Sequence, residues 1–144
     1  LSFKQKDIDI QNHSIECRIN AEDPDNNFLP SPGKVEKLIL PSGPGVRVDT
    51  YIYEGYSVPP YYDSLLMKLI TYGRDRDEAI ERMKRALDET VIEGVKTTVP
   101  FYKELISHPV FLSGRYYVGW LEKYLEKKNN MSEEVNQRGG KNGE

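Results

Sequence analysis

The clearest pattern along the chain is a strict alternation of apolar and polar positions in residues 15–20. The apolar positions are Ile15, Cys17 and Ile19. The polar positions are Glu16, Arg18 and Asn20. This alternation predicts a half-buried strand with one core face and one polar face. Arg18 is in the middle of the polar face, where a guanidinium with five N–H donors and little rotamer freedom is suited to binding an anion. Arg18 is therefore the first candidate functional residue.

A proline-rich turn is predicted directly after this strand. The strand ends at residues 21–24, and Pro30 and Pro32 follow within residues 28–33. Because proline restricts the backbone, we expect this segment to hold two apolar side chains, Phe28 and Leu29, in buried positions. The acidic residues at 22–25 lack the spacing and the glycine of a calcium loop, which favours a turn over a cation site.

Further strands are predicted where strand-forming residues are bounded by Gly and Pro. Residues 34–40 are one such segment, and residues 46–53 alternate between apolar and polar positions. Residues 58–64 are held extended by two prolines, and residues 65–72 are apolar enough for a buried strand. Residues 91–95 are read as a short strand or a turn.

Helical periodicity appears only in the second half of the chain. Asp75 is the predicted N-cap of a helix, with Glu78 at capping-box spacing. The predicted buried positions recur every three or four residues: Ala79, Ile80, Met83, Ala86, Leu87. The predicted ion pairs on the exposed side are Glu78–Arg82 and Glu81–Arg85. Pro100 is expected to start a second helix that ends at residues 108–109, and residues 117–127 are expected to form a third, with Leu121, Tyr124 and Leu125 facing inward.

Strands therefore come first and helices later, and short turns join the strands. This order predicts an α+β fold in which an antiparallel sheet is covered by helices on one side. Residues 1–12 show no clear period and are expected to link this domain, residues 13–127, to sequence upstream. Residues 128–144 are rich in Asn, Gly and Glu and are expected to be disordered.

Composition narrows the functional class. The chain has 144 residues, of which 38% are hydrophobic and 30% charged, as in an ordinary soluble domain. A net charge of −3 argues against a nucleic-acid binder, and no apolar run is long enough to span a membrane. The single cysteine, Cys17, favours a reducing, cytoplasmic setting. His13 and His108 stand alone, without the ligand spacing of a metal site.

Taken from the residues alone, Arg18 has a simpler explanation. An arginine on the solvent face of a strand is commonly a surface residue, here paired with Glu16 or Glu36. Arg47 has a similar alternative, with Asp49 or Glu54 as its partner. The tyrosines crowded into residues 51–62 fit either a protein interface or the rim of a core.

Four motifs, in one order, resemble a known family. They lie at residues 16–24, 28–33, 45–47 and 58–64, and together they resemble the carboxy-terminal domain of biotin carboxylase. This family is the ATP-dependent component of acetyl-CoA, propionyl-CoA and pyruvate carboxylases. The resemblance covers roughly residues 13–127, and the motif at residues 16–24 disfavours a purine-biosynthetic carboxylase of the same superfamily.

The resemblance implies a catalytic role for Arg18. In the family, the matching arginine points into the catalytic cleft beside the ureido ring of biotin, where a fixed guanidinium stabilises negative charge on the ureido oxygen. The resemblance also implies that the cofactor is biotin, while ATP and Mg²⁺ are bound mainly by upstream ATP-grasp domains. No glycine-rich phosphate loop or paired magnesium carboxylates occur in this sequence. The chain also opens without an initiator methionine, and we expect it to be a fragment that folds but does not turn over by itself.

The resemblance further implies an assembly. In the family, the arginine matching Arg47 and the aspartate matching Asp63 lie at a homodimer contact, although relatives often carry an aromatic residue where this chain has Pro44. The expected partners are the upstream domains of the same chain, a biotin carrier protein and a carboxyltransferase subunit. Residues 117–120 depart from the family pattern, so no nucleotide contact is assigned to them. The alternative is a stand-alone α+β module that binds a protein through its tyrosine-rich surface.

Overall fold

The computed structural model describes residues 2–61 and 63–128. The chain divides into two units, Leu1–Leu112 and Ser113–Glu144. In the first unit the strands are, in chain order, β1 (His13–Asn20), β2 (Glu22–Asp23), β3 (Leu29–Pro30), β4 (Gly33–Lys34), β5 (Lys37–Ile39), β6 (Val46–Thr50), β7 (Ser57–Val58), β8 (Leu65–Gly73) and β9 (Val91–Glu93). Its helices are α1 (Arg76–Glu89), α2 (Val99–Ile106) and α3 (Pro109–Leu112).

The main sheet has three antiparallel strands in the order β1-β8-β6. Its register pairs Lys68 of β8 with Arg18 on one side and with Asp49 on the other. Directly opposed residues in an antiparallel sheet point to the same face, so these three side chains form a row. The register shifts between Ile19 and Asn20, which marks an irregularity at the end of β1. The other strands form separate two-stranded sheets, in which β4 pairs with β7, β2 with β3, and β5 with β9.

One face of the main sheet is apolar because alternate residues of each strand are apolar. This inner face packs against α1 and α2. The buried residues of the resulting core are Cys17, Ile19, Met67, Leu69, Ile80, Met83, Ala86, Leu87, Val99 and Ile106. All five α1 residues that the helical period predicted to be buried are buried. The α+β fold with an antiparallel sheet and helices is therefore confirmed.

A second, smaller core lies under the short strands. Its buried members are Ala21, Val35, Ile52, Val58 and Leu66. The turn after β9 approaches this region closely, and Gly94 has a φ of 96° there. A Cβ at Gly94 would collide with the Lys34 carbonyl oxygen, so the turn requires glycine.

The start of α1 is capped as predicted, although its carboxylates pair differently. Asp75 accepts a hydrogen bond from the Glu78 backbone N–H at 2.8 Å. Glu78 accepts from the backbone N–H of Arg74, where a capping box would use Asp75, and it also pairs with Arg82. The predicted pair of Glu81 with Arg85 is wrong. Glu81 pairs with Lys84, and Arg85 pairs with Glu89 one turn further on.

One prediction about the proline-rich turn, the burial of Leu29, is wrong. Leu29 is 53% exposed, because it belongs to β3, which pairs with β2 at the surface. Phe28 is half-buried and packs edge-on against Phe101, with ring centroids 5.2 Å apart. Near the amino terminus, a short 3-10 turn spans Gln5–Asp7, and the side chain of Ile10 is exposed.

The second unit contains the predicted last helix. It is helical from residue 120 to residue 128, the last residue described, and so begins three residues later than expected. Trp120 stacks on Tyr124 with ring centroids 5.8 Å apart. Of the segment predicted to be disordered, Lys128 is helical and residues 129–144 lie outside the described residues.

Candidate functional site

Arg18 projects from the outer face of the main sheet, opposite the α1 side. Its side chain is 48% exposed, and its Nη2 atom lies 3.8 Å from Oδ2 of Asp63. That distance is longer than a hydrogen bond, so the pair is a loose electrostatic contact. The guanidinium therefore keeps N–H donors available to an anion on the outer face.

Asp63 replaces the predicted partners of Arg18. The sequence suggested Glu16 or Glu36, whereas the ion pair joins Arg18 to a residue 45 positions along the chain. Asp63 is itself positioned by the backbone N–H of Leu65, which donates to Oδ1 at 3.0 Å. The segment before β8 thus places the carboxylate of Asp63 beside Arg18.

A polar cluster that the sequence analysis missed lies at the end of β1. Glu22 accepts a hydrogen bond from Nδ2 of Asn20 at 3.0 Å and another from the hydroxyl of Ser64. The backbone N–H of Ala21 also donates to the Ser64 carbonyl at 2.7 Å. These contacts join the end of β1 to the segment that carries Asp63. The alternation in β1 could have indicated Asn20, but the pairing with Ser64 requires the tertiary structure.

Thr98 was also missed, and it contacts the same strand end from α2. Its hydroxyl oxygen accepts from the Asn20 backbone N–H at 3.0 Å and lies 3.4 Å from the Arg18 carbonyl oxygen, to which the hydroxyl donates. The Thr98 backbone N–H donates to the Asn20 carbonyl at 3.1 Å. The side chain is buried. No sequence pattern relates residues 18 and 98.

Arg47 lies on the same outer face, on β6. Its Nε and Nη2 atoms donate to the two carboxylate oxygens of Asp49 at 2.8 and 2.9 Å. These hydrogen bonds hold the pKa of Asp49 below its usual value. Of the two partners suggested by the sequence, Asp49 is thus the one found. Arg47 and Asp63, the two expected dimer residues, are engaged by different partners, Asp49 and Arg18.

The tyrosine cluster surrounds the loop after β6. Tyr51 and Tyr53 each pack edge-on against Tyr56, with ring centroids 5.5 and 5.6 Å apart. The Tyr51 hydroxyl donates to the Leu65 carbonyl at 2.6 Å, and burial is the main reason that the pKa of Tyr51 is raised. Tyr61 is 84% exposed, and Tyr62 lies outside the described residues. The cluster therefore includes both highly exposed tyrosines and tyrosines that pack against one another at the edge of the core.

The remaining candidates are structural. Cys17 is buried on the inner face, and burial raises the pKa of its thiol to about 12. Burial likewise raises the pKa of Tyr102 to about 12, with Cys17 and Glu22 nearby adding to the effect.

Within the described ranges, no three His, Cys, Asp or Glu side chains are close enough together to hold a metal. No helix in residues 2–61 or 63–128 has the length and apolarity to cross a membrane.

The fold and this site define the class as an α+β domain with one apolar sheet face and one polar face that carries Arg18. The family model of the biotin carboxylase C-terminal domain matches residues 16–123. The chain belongs to this family, and the resemblance drawn from its four motifs is confirmed.

Curated relatives include carboxylases of more than one kind. The chain is 56% identical over 124 residues to biotin carboxylase 1 of Bacillus subtilis, and the match covers 86% of the chain and 28% of the relative. It is 52% identical over 124 residues to a pyruvate carboxylase subunit of Methanothermobacter thermautotrophicus, covering 86% of the chain and 25% of the relative. The chain thus spans between a quarter and a third of the length of these relatives.

Solved structures show the same fold. The biotin carboxylase subunit of pyruvate carboxylase superposes with a TM-score of 0.83 at 44% identity, covering 88% of this chain and 28% of that one. The biotin carboxylase domain of the Hydrogenobacter thermophilus 2-oxoglutarate carboxylase, a dimer in complex with MgADP, ADP and bicarbonate, has a TM-score of 0.83 at 42% identity. That match covers 86% of this chain and 27% of the Hydrogenobacter chain.

Proposed function

We propose that this chain is the carboxy-terminal domain of a longer biotin carboxylase and that it contributes Arg18 to the carboxylation of biotin. The complete enzyme would use ATP and bicarbonate, with ATP and Mg²⁺ bound mainly by upstream ATP-grasp domains. The observation that carries the proposal is the half-exposed guanidinium of Arg18, held on the polar sheet face in a chain of this family. A cytoplasmic location and assembly with a biotin carrier protein and a carboxyltransferase subunit belong to the same proposal.

The donor set of Arg18 fits the ureido oxygen of biotin. Arg18 would hold the ureido oxygen of biotin. Bound biotin would supply a ureido nitrogen as the nucleophile, and loss of its proton would place negative charge on that oxygen. Arg18 remains cationic at any physiological pH and presents N–H donors in a fixed fork, so it stabilises that charge without giving up a proton. Asp63, 3.8 Å from Nη2, is near enough for electrostatic attraction but too far for a hydrogen bond, so it leaves the N–H donors of Arg18 available.

The test is carboxylation of free biotin by the complete polypeptide that contains this segment, with ATP and bicarbonate. We expect Arg18→Ala and Arg18→Lys to lower kcat by about a hundredfold, since lysine lacks the planar fork. Arg85→Ala is the matched control, because Arg85 is 44% exposed, carries an ion pair and lies on α1. Near-native rates in both Arg18 variants would leave Arg18 as a surface residue and remove it from the mechanism.

The expected dimer is a separate part of the proposal. Arg47 lies on the outer face of the main sheet, and Asp63 lies 3.8 Å from Arg18 of the same face. A charged and partly apolar face of this kind, which also includes the half-buried Ile70, is suited to pairing with a second copy. The dimeric Hydrogenobacter thermophilus domain supports this assignment.

The alternative function is a protein-binding module, and the exposed tyrosines favour it. Tyr53 is 63% exposed and Tyr61 is 84% exposed, as expected of amphipathic residues at an interface. The carboxylation assay separates the two functions. A complete polypeptide that carries no ATP-grasp domains and carboxylates no biotin would favour the binding module.

A further inference from the structure

The open edge of β1 presents backbone groups that no strand pairs with in the described part of the chain. In the order β1-β8-β6, β1 has β8 on one side only. The backbone groups of Arg18 and Asn20 that point away from β8 are the ones that Thr98 contacts. Thr98 therefore satisfies these groups as a neighbouring strand would. Leaving them unpaired in this partly buried position would cost stability.

The strand needs such support at this point. The β1–β8 register shifts between Ile19 and Asn20, one residue beyond Arg18. A register irregularity interrupts the ladder and lets the strand bend, so the direction of the preceding side chain depends on other contacts. Thr98 holds the backbone on both sides of this point.

Thr98 makes these contacts at the expense of its own helix. It occupies the N-cap position of α2, yet its side chain makes no capping hydrogen bond. A threonine at an N-cap commonly stabilises its helix by accepting a hydrogen bond from a backbone N–H of the first turn. Here the hydroxyl points to β1, and α2 has Pro100 near its start, which removes one N–H that a cap would serve.

We propose that Thr98 is a positioning residue for biotin carboxylation, because its hydroxyl bridges the Arg18 carbonyl and the Asn20 amide and fixes the strand end from which the Arg18 guanidinium projects. This inference rests on the function proposed above. Displacement of a catalytic group by about 1 Å costs up to a hundredfold in rate, and loss of one of several backbone contacts should cost less. Thr98 is only 4% exposed, so its proposed role is exerted through Arg18 and not through contact with substrate.

The test uses the complete polypeptide with three substitutions. Thr98→Val removes the hydroxyl and keeps the shape, whereas Thr98→Ser keeps the hydroxyl. Thr90→Val is the matched control, because Thr90 is 6% exposed against 4% for Thr98 and its hydroxyl donates to the Ala86 carbonyl at 2.7 Å at the C-terminal end of α1. We expect Thr98→Val to lower kcat for biotin carboxylation about tenfold, while Thr98→Ser and Thr90→Val stay within about twofold of wild type.

Two further readouts distinguish positioning from a general structural role. Bicarbonate-dependent ATP hydrolysis without biotin should not change in Thr98→Val, since Arg18 acts on biotin. In an Arg18→Ala background, Thr98→Val should lower the remaining rate by less than about twofold, because residues that act through one another are not additive. Among the three substitutions, only Thr98→Val should make hydrogen exchange of the Asn20 amide faster, by about tenfold.

Each outcome decides between the two proposals. An active wild type in which Thr98→Val behaves like Thr90→Val, or in which biotin-independent ATP hydrolysis falls in parallel, overturns the role of Thr98 and leaves the function intact. Full additivity with Arg18→Ala also overturns it. A complete wild-type polypeptide that carboxylates no biotin overturns the proposed function, and the role of Thr98 with it.

Discussion

The two faces of the main sheet are built by alternate residues of the same three strands, yet they differ in almost every physical property. On the inner face, Cys17 and Leu69 are 5% and 0% exposed and pack under α1. On the outer face, the side chains of Arg18 and Asp49 are 48% and 43% exposed and lie beside oppositely charged side chains. Burial of apolar area drives folding, so the inner face specifies the fold. The outer face is consequently free to carry charge and chemistry.

Thiol reactivity gives the largest expected contrast between the faces. Burial raises the pKa of Cys17 to about 12, which leaves about a thousandfold less thiolate at pH 8 than an ordinary cysteine has. A cysteine at the neighbouring outer position, Glu16→Cys in a Cys17→Ala background, should therefore be alkylated about a thousandfold faster than Cys17 in the native protein. The measurement is the rate of iodoacetamide labelling by mass spectrometry. Equal rates at the two positions would show that the faces are not distinguished in solution.

Stability should be lost mainly through the inner face. Leu69 is fully buried between Cys17 and Val48 in the sheet register. Leu69→Ala should lower the free energy of unfolding by about 3 kcal/mol, from lost transfer free energy and a cavity. Ile70→Ala, one residue along and half-buried on the outer face, should cost about 1 kcal/mol. Urea denaturation of the 144-residue chain measures the loss of stability in both variants. A larger loss in Ile70→Ala than in Leu69→Ala would contradict the assignment of the faces.

Self-association should depend on the outer face. Arg47→Ala should weaken the proposed dimer about tenfold, because arginines at interfaces commonly account for an effect of this size. The effect should diminish at high salt, since the Arg47 side chain is 69% exposed. Arg74→Ala is the matched control, because Arg74 is 86% exposed and pairs with Glu78 just before α1. Sedimentation equilibrium of the complete polypeptide measures the dissociation constant of the dimer. Equal weakening of the dimer by both variants would exclude a specific role for Arg47.

The smallest expected effect is the pH dependence of the Arg47–Asp49 pair. The hydrogen bonds from Arg47 keep the pKa of Asp49 lower in the folded protein than in the unfolded chain. The pair therefore stabilises the fold above the unfolded pKa of about 3.9, and this contribution is lost as the pH falls through the folded pKa. Asp49→Asn should cost little at pH 7, since the pair is exposed, and still less once the pH has fallen through the folded pKa of Asp49. A difference in stability that grows as the pH falls would have the wrong sign.

Much of the fold could be predicted because its signals are local. The alternation in residues 15–20 predicted both the strand and the face of Arg18, and the three- and four-residue period predicted the buried set of α1. The cap at Asp75 was also predictable, because it involves the backbone only three residues away. Leu29 was predicted wrongly, since the prolines around it constrain the backbone but do not determine whether anything covers its side chain.

The candidate site was predictable only in part, because it is assembled from distant segments. Arg18 was recognised from its position on a polar strand face, but its charged partner proved to be Asp63. Glu16 and Glu36 are nearer in sequence, and a pairing argument from spacing favoured them. The register of β1 with β8 determines which carboxylate is near in space, and that register is a property of the folded sheet.

The sequence by itself determined where most strands and helices lie, which faces of β1 and α1 are apolar, and the family to which the chain belongs. These features depend on side-chain alternation, helical period and ordered motifs, all of which are written along the chain. Only the tertiary structure decided that Asp63 faces Arg18 and that Thr98 supports the open edge of β1, 80 positions from Arg18. Contacts of this kind depend on strand register and helix packing, which arise from the burial of the whole inner face and from no single segment.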